Sequence, residues 1–164
     1  MTGTLKKSKE QLINELNCFL AHGYLDMDSY DEPLDEAADA LRQLVSYDEQ
    51  ACNLFSKKIL LSKDFGDVYL DSICLLHLFD IEKEYALKYV EENVKNMSTP
   101  VLQSTMDGLC QYSRTPFREK FTKELIVSIY HRYDELSQRP LYKEMLEGDY
   151  SNFQEDFPRH EDKV

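Results

Sequence analysis

Leu70-Asp71-Ser72-Ile73-Cys74 returns 36 positions later as Met106-Asp107-Gly108-Leu109-Cys110, and this spacing decides the fold reading. A period of this size is the mark of stacked helical hairpins, in which each helix pair covers the apolar face of the next. An earlier segment, Leu34, Asp35, Ala37 and Ala38, fits the same step, although a shift of 35 aligns Leu41 with Leu76 and Leu44 with Phe79 better. The expected fold class is all-α: stacked antiparallel helical hairpins in an α-solenoid of about seven to eight helices.

Helical periodicity accounts for most of the chain. Leu12, Ile13, Leu16, Phe19 and Leu20 line one face before Gly23 offers a stop. Pro33 suits a first helical turn, and Leu34, Ala37, Ala38, Leu41, Leu44 and Val45 follow at i, i+3, i+4, i+7 spacing. Ala51, Cys52, Phe55, Ile59 and Leu60 share the next face, closed by the punctuation Lys63, Asp64, Phe65 and Gly66. Apolar residues surround the helix that begins near Asp67, which predicts an element buried between neighbours. Tyr85, Tyr89, Val90, Val94 and Met97 give a stripe, and Ser98-Thr99-Pro100 starts the next helix. After Thr115-Pro116 a long stripe runs through Phe117, Phe121, Leu125, Ile129, Tyr133 and Leu136. Pro140 opens a short last helix that ends at Gly148. The expected organisation is one helical domain over residues 1–148, with a repeat-like core at 33–136, followed by an irregular acidic tail at 149–164. Tyr150, Phe153 and Phe157 offer an alternative in which that tail is anchored to the body.

Thirty-one acids against 19 bases leave a net charge of −12. Such a balance disfavours nucleic acid and anionic membranes and favours a basic partner, although acidity also serves solubility. The charge is uneven. Residues 26–49 hold nine acids and one base, Arg42, whereas Lys6, Lys7 and Lys9 cluster near the start and bases recur over 114–123. Tyr24, Tyr30 and Tyr47 stand in or beside the acidic segment, where an aromatic ring with a hydroxyl makes a useful interface anchor. No stretch approaches the roughly 20 apolar residues of a membrane span, and the first residues lack the apolar core of a secretory signal. A cytoplasmic location is expected.

Catalytic and metal signals are weak. Cys18, Cys52, Cys74 and Cys110 lie far apart on apolar faces and read as reduced core thiols. His22, His77, His131 and His160 form no H-E-x-x-H spacing. Asp26 and Asp28 begin like a calcium loop, but Asp31 stands at its glycine position and Ala37 at its glutamate position. No glycine-rich phosphate loop occurs, and Glu91-Glu92 point apart on a helix. No catalytic residue, cofactor or metal is expected.

The hairpins at 68–94 and 101–130 resemble HEAT-like helical repeats in period and apolar spacing, with the proline, aspartate and arginine signature only partly present. The resemblance implies one helix of each pair lining a concave surface. A small acidic all-helical chain is also similar to immunity proteins of bacterial toxin systems, including contact-dependent growth inhibition, which bind and block a cognate secreted toxin. It implies a non-enzymatic protein covering a basic nuclease groove with carboxylates in place of phosphates. The partner-binding residues are then Asp26, Asp28, Tyr30, Asp31, Glu32, Asp35, Glu36 and Asp39. Asp71 and Asp107 extend them as a ladder of equivalent repeat positions, unless they merely start their helices favourably in the macrodipole. The alternative function is an intracellular helical adaptor or scaffold.

Overall fold

A computed structural model describes residues 6–62 and 68–159. Among these the chain is all-α, with eight helices and no strand: α1 Lys9–His22, α2 Pro33–Tyr47, α3 Glu49–Leu61, α4 Val68–Ile81, α5 Lys83–Asn93, α6 Thr99–Gln111, α7 Lys123–Leu136 and α8 Pro140–Asp156. The punctuation expected at Lys63 to Gly66 and the end of the expected tail, 160–164, lie outside the described residues. No helix among the described residues is long and apolar enough to cross a membrane.

Local chemistry sets most of the boundaries. Ser8 and Gln11 form a capping box at the start of α1, and Gly23 closes that helix at φ 82°, a left-handed conformation that a Cβ would strain. Asp48 terminates α2 and caps α3 at once. Its carboxylate accepts from the Ala51 amide at 3.1 Å and pairs with Lys9 at 2.9 Å. The bond from Lys9 and those from the helix amides hold this carboxyl below its ordinary pKa. Ser98 and Thr122 cap α6 and α7 through the Val101 and Leu125 amides.

The contacts fall into two compact units, Met1–Lys83 and Glu84–Val164. In the first, α3 packs along α4 and α2, and α1 lies against α2 and α3. Leu12, Leu16, Phe19, Leu41, Leu44, Ile59, Leu75 and Phe79 are removed from solvent completely. As the periodicity required, α4 buries residues on several sides, with Leu70, Cys74, Leu75, Leu78 and Phe79 all in the core. Lys7 ties the entry of α1 to α2, its amide donating to Gln43 at 3.1 Å and its carbonyl accepting from the Tyr47 hydroxyl at 3.0 Å.

In the second unit α6 packs on α8 and α7, and α7 also meets the 3-10 turn Val94–Asn96. Arg132 fixes that contact by donating to the Met97 carbonyl at 2.8 Å. An unbroken line of rings runs through this unit, from Tyr112 to Phe117, Phe121, Phe157, Phe153, Tyr130 and Tyr150, with neighbouring centroids 5.1 to 6.0 Å apart. Tyr150 then stacks on Tyr133 at 3.5 Å with planes 4° apart. Each such pair adds about 0.5–1.5 kcal/mol beyond its area burial.

Two expectations are corrected here. The long stripe after Pro116 is not one helix. Pro116–Lys120 is a 3-10 turn, Phe121 is extended (ψ 105°), and Thr122 caps a separate α7. The residues from 149 are not irregular, because α8 runs through Gly148 to Asp156. Leu146, Phe153 and Phe157 are buried, which gives the continuing helix an apolar face and realises the anchored alternative.

Candidate functional site

The acidic segment forms an exposed surface on the first unit, built by two consecutive pieces of chain. The loop between α1 and α2 is pinned by Leu25, which is buried, and by local hydrogen bonds. Asp26 accepts from the Asp28 amide at 2.9 Å through its carboxylate and from the Ser29 amide at 3.1 Å through its carbonyl. The Ser29 hydroxyl accepts from the Asp31 amide at 3.1 Å. These side-chain turns hold the loop without a glycine after Gly23. Polypeptide ordered in this way presents its outward side chains at fixed places. Met27 is 77% exposed and Tyr30 is 104% exposed, so neither contributes to packing.

From Pro33 the chain becomes α2, which buries Ala37, Ala38, Leu41 and Leu44 against the unit and turns Asp35 outward. Asp26, Asp28, Asp31, Glu32 and Asp35 are exposed, and Glu36 and Asp39 are half-buried. Of these acids Asp39 alone makes an ion pair among the described residues, with Arg42 at 2.9 Å. Asp35 and Glu36 also lie in the first turn of α2, where the macrodipole favours a negative charge. Eight predicted partner-binding residues are therefore contiguous: Asp26, Asp28, Tyr30, Asp31 and Glu32 on the loop, and Asp35, Glu36 and Asp39 on the first turns of the helix.

Asp71 and Asp107 do not extend the surface as equivalent positions. Asp35 is the third residue of α2 and Asp71 the fourth of α4, but Asp107 is the ninth of α6. The Ser98 cap and Pro100 fix the start of α6 well upstream of the repeated motif, so the sequence repeat is one of apolar spacing and not of helix register. Asp71 is half-buried in the first unit. Asp107 belongs to the second unit, where, after burial, its charge is the next cause of a raised pKa at Asp149 on α8.

Three of the four thiols are chemically quiet. Burial raises Cys52 to about 11, Cys110 to about 12 and Cys74 well above its ordinary value. All three are protonated near neutrality, and no disulfide joins them. Among the described residues no group of three or more His, Cys, Asp or Glu is placed to hold a metal ion.

His77 on α4 is half-buried, with its Nε2 enclosed at a cost. Its Nε2 has no hydrogen-bond partner among the described residues, and neither has the Asn53 Oδ1 on the neighbouring α3. Burial lowers the His77 pKa; Asp80 opposes the shift and Arg42 adds to it. The neutral ring is the form the fold tolerates. Stability is therefore retained above the ordinary value of 6.5 and lost as the pH falls from there through the depressed folded value. Thermal melts at about pH 7 and about pH 5 should show a smaller drop in Tm for His77→Leu than for the wild type, and an equal drop would contradict this assignment.

The site that spacing did not reveal lies in the second unit. A cavity of about 320 Å³ opens between α7 and the segment after α8, lined by aromatic, aliphatic and basic side chains. The bases noted over 114–123 were the one signal for it in the sequence.

No protein-family model matches this sequence, and no curated protein shows significant similarity to it.

Proposed function

We propose that this chain is a non-enzymatic binding protein whose acidic surface, from Asp26 to Asp39, captures a basic protein partner. The observation that carries the reading is Tyr30: a fully exposed ring, held on an ordered loop and flanked by carboxylates, Asp28, Asp31 and Glu32, that pair with no base among the described residues. Tyrosine offers a large rigid contact area with few rotatable bonds, so its exposure among fixed charges has the composition of an interface anchor. Met27 beside it adds an adaptable apolar contact. The surrounding carboxylates would accelerate encounter with a positively charged surface and reject acidic competitors.

The partner class that agrees with these features is a cognate secreted toxin with a basic catalytic groove, which would make the chain a toxin-neutralising immunity protein. Carboxylates at fixed spacing would occupy the positions of nucleic-acid phosphates and block substrate. Capture with the tagged chain from its native cells, at low and at raised salt, tests the proposal. Recovery of a basic toxin domain that is released by salt supports it. Recovery of housekeeping assemblies instead would contradict neutralisation and favour an adaptor.

A further inference from the structure

The cavity of the second unit departs from the rest of the molecule in its charge. The chain carries −12, yet this cleft is lined by Arg118, Lys123, His131 and Arg159 and, among the described residues, by no acid. Its floor is apolar. Phe121, Tyr130 and Phe157 supply ring surface, and Val127, 56% exposed on α7, forms an open wall.

The two arginines are positioned, not merely nearby. The guanidinium of Arg118 lies 4.5 Å from the Phe157 ring centroid and donates to the Ser113 carbonyl at 3.0 Å and the Asp156 carbonyl at 2.8 Å. Those acceptors are neutral, so the charge of Arg118 is oriented without being cancelled. Arg159 lies 5.0 Å from the Tyr130 centroid and is held by both oxygens of Asp134. The Tyr130 hydroxyl donates to the Phe157 carbonyl at 2.5 Å, which locks two walls together. Lys123 and His131 are exposed and make no hydrogen bond or ion pair among the described residues. The cleft therefore combines a preformed apolar floor with the uncancelled positive charges of Arg118 and Lys123 at its rim.

We infer that this cleft binds a small apolar carboxylate: one anionic head on a hydrocarbon or aromatic body of about ten carbons, within the lower size range of small-molecule sites. Charge complementarity selects the head, since an anion gains Arg118 and Lys123 without meeting an acid among the described residues that line the cleft. The apolar floor selects the body, since each methylene removed from water tightens binding roughly threefold to fourfold. A bounded cavity with cationic residues at its rim fits one such molecule better than it fits an extended chain.

Calorimetric titration of the full-length protein with hexanoate, octanoate, decanoate and decanol, below their micelle concentrations, tests the inference. Affinity should rise about tenfold for each two-carbon step, and decanol should bind at least about tenfold more weakly than decanoate. Val127→Glu places an anion on the exposed wall and Lys123→Glu reverses a rim charge. Each should weaken decanoate at least about tenfold while the melting temperature stays near that of the wild type. Amide shifts induced by decanoate should cluster on α7 and residues 157–159. Equal binding of decanol and decanoate, unchanged affinity in both variants, shifts centred elsewhere, or no binding at millimolar ligand would each overturn the assignment.

Discussion

Phe153→Ala lowers the stability of the second unit by about 3–5 kcal/mol, the usual cost of removing a fully enclosed phenylalanine from a packed core. The ring has no exposed surface. It bridges Tyr130 on α7, at 5.3 Å, and Phe157, at 5.1 Å, so its loss opens the middle of the aromatic line as well as a void. The effect extends to α8 itself. That helix contains Gly148 and is polar along most of its length, so its order depends on the few residues it buries, Leu146 and Phe153 within it and Phe157 just beyond. Chemical denaturation followed by near-ultraviolet dichroism is a suitable readout, because the chain has eleven tyrosines and no tryptophan. Leu141→Ala, at a position 64% exposed on the same helix, should change stability by no more than about 0.5 kcal/mol. Similar losses for the two variants would contradict the packing described.

The second large effect falls on binding. Reversal of Asp28, Asp31 and Glu32 to lysine should weaken the partner complex by about 100-fold or more, chiefly through slower association. The three side chains are exposed, and none makes a hydrogen bond or ion pair among the described residues, so the fold should tolerate their replacement. Asp26 is left in place because its carboxylate holds the Asp28 amide. Tyr30→Ala separates contact from steering. A ring with no packing role in the free protein contributes nothing to stability, so its removal should leave Tm unchanged, weaken binding by about 30-fold and act mainly on dissociation. Should both variants bind like the wild type, the acidic surface is a solubility feature.

The boundaries that were legible in the sequence are those written in local chemistry. Gly23 stops α1 because the backbone there turns left-handed, and Pro33, Ser98 and Pro100 act within one turn of the residues they govern. Two start signals competed after Thr115. Phe117, Phe121 and Leu125 are four residues apart, so an apolar stripe passes through the 3-10 turn into α7 without showing the break that Thr122 makes. Gly148 reads as a stop, yet it lacks the positive φ that would make it one, and Leu146, Tyr150, Phe153 and Phe157 keep helical spacing across it. In that case tertiary packing overrode a local signal.

The acidic surface was legible for a similar reason, since its eight residues are neighbours in the chain. Asp107 was not, because a motif match fixes apolar spacing and leaves the helix start free. The basic cleft draws its walls from Arg118 to Arg159, residues joined by the packing of α7 with the chain beyond α8. No spacing rule connects those positions.

The proposed binding of a basic protein by the segment from Asp26 to Asp39 is tested most directly by the salt dependence of the affinity. Titrating the captured partner with wild-type protein and with the triple lysine variant, over a range of salt concentrations, should give a steep loss of affinity with salt for the wild type. The variant should bind weakly with a much flatter salt dependence. Equal affinities and equal slopes for the two proteins would contradict the account.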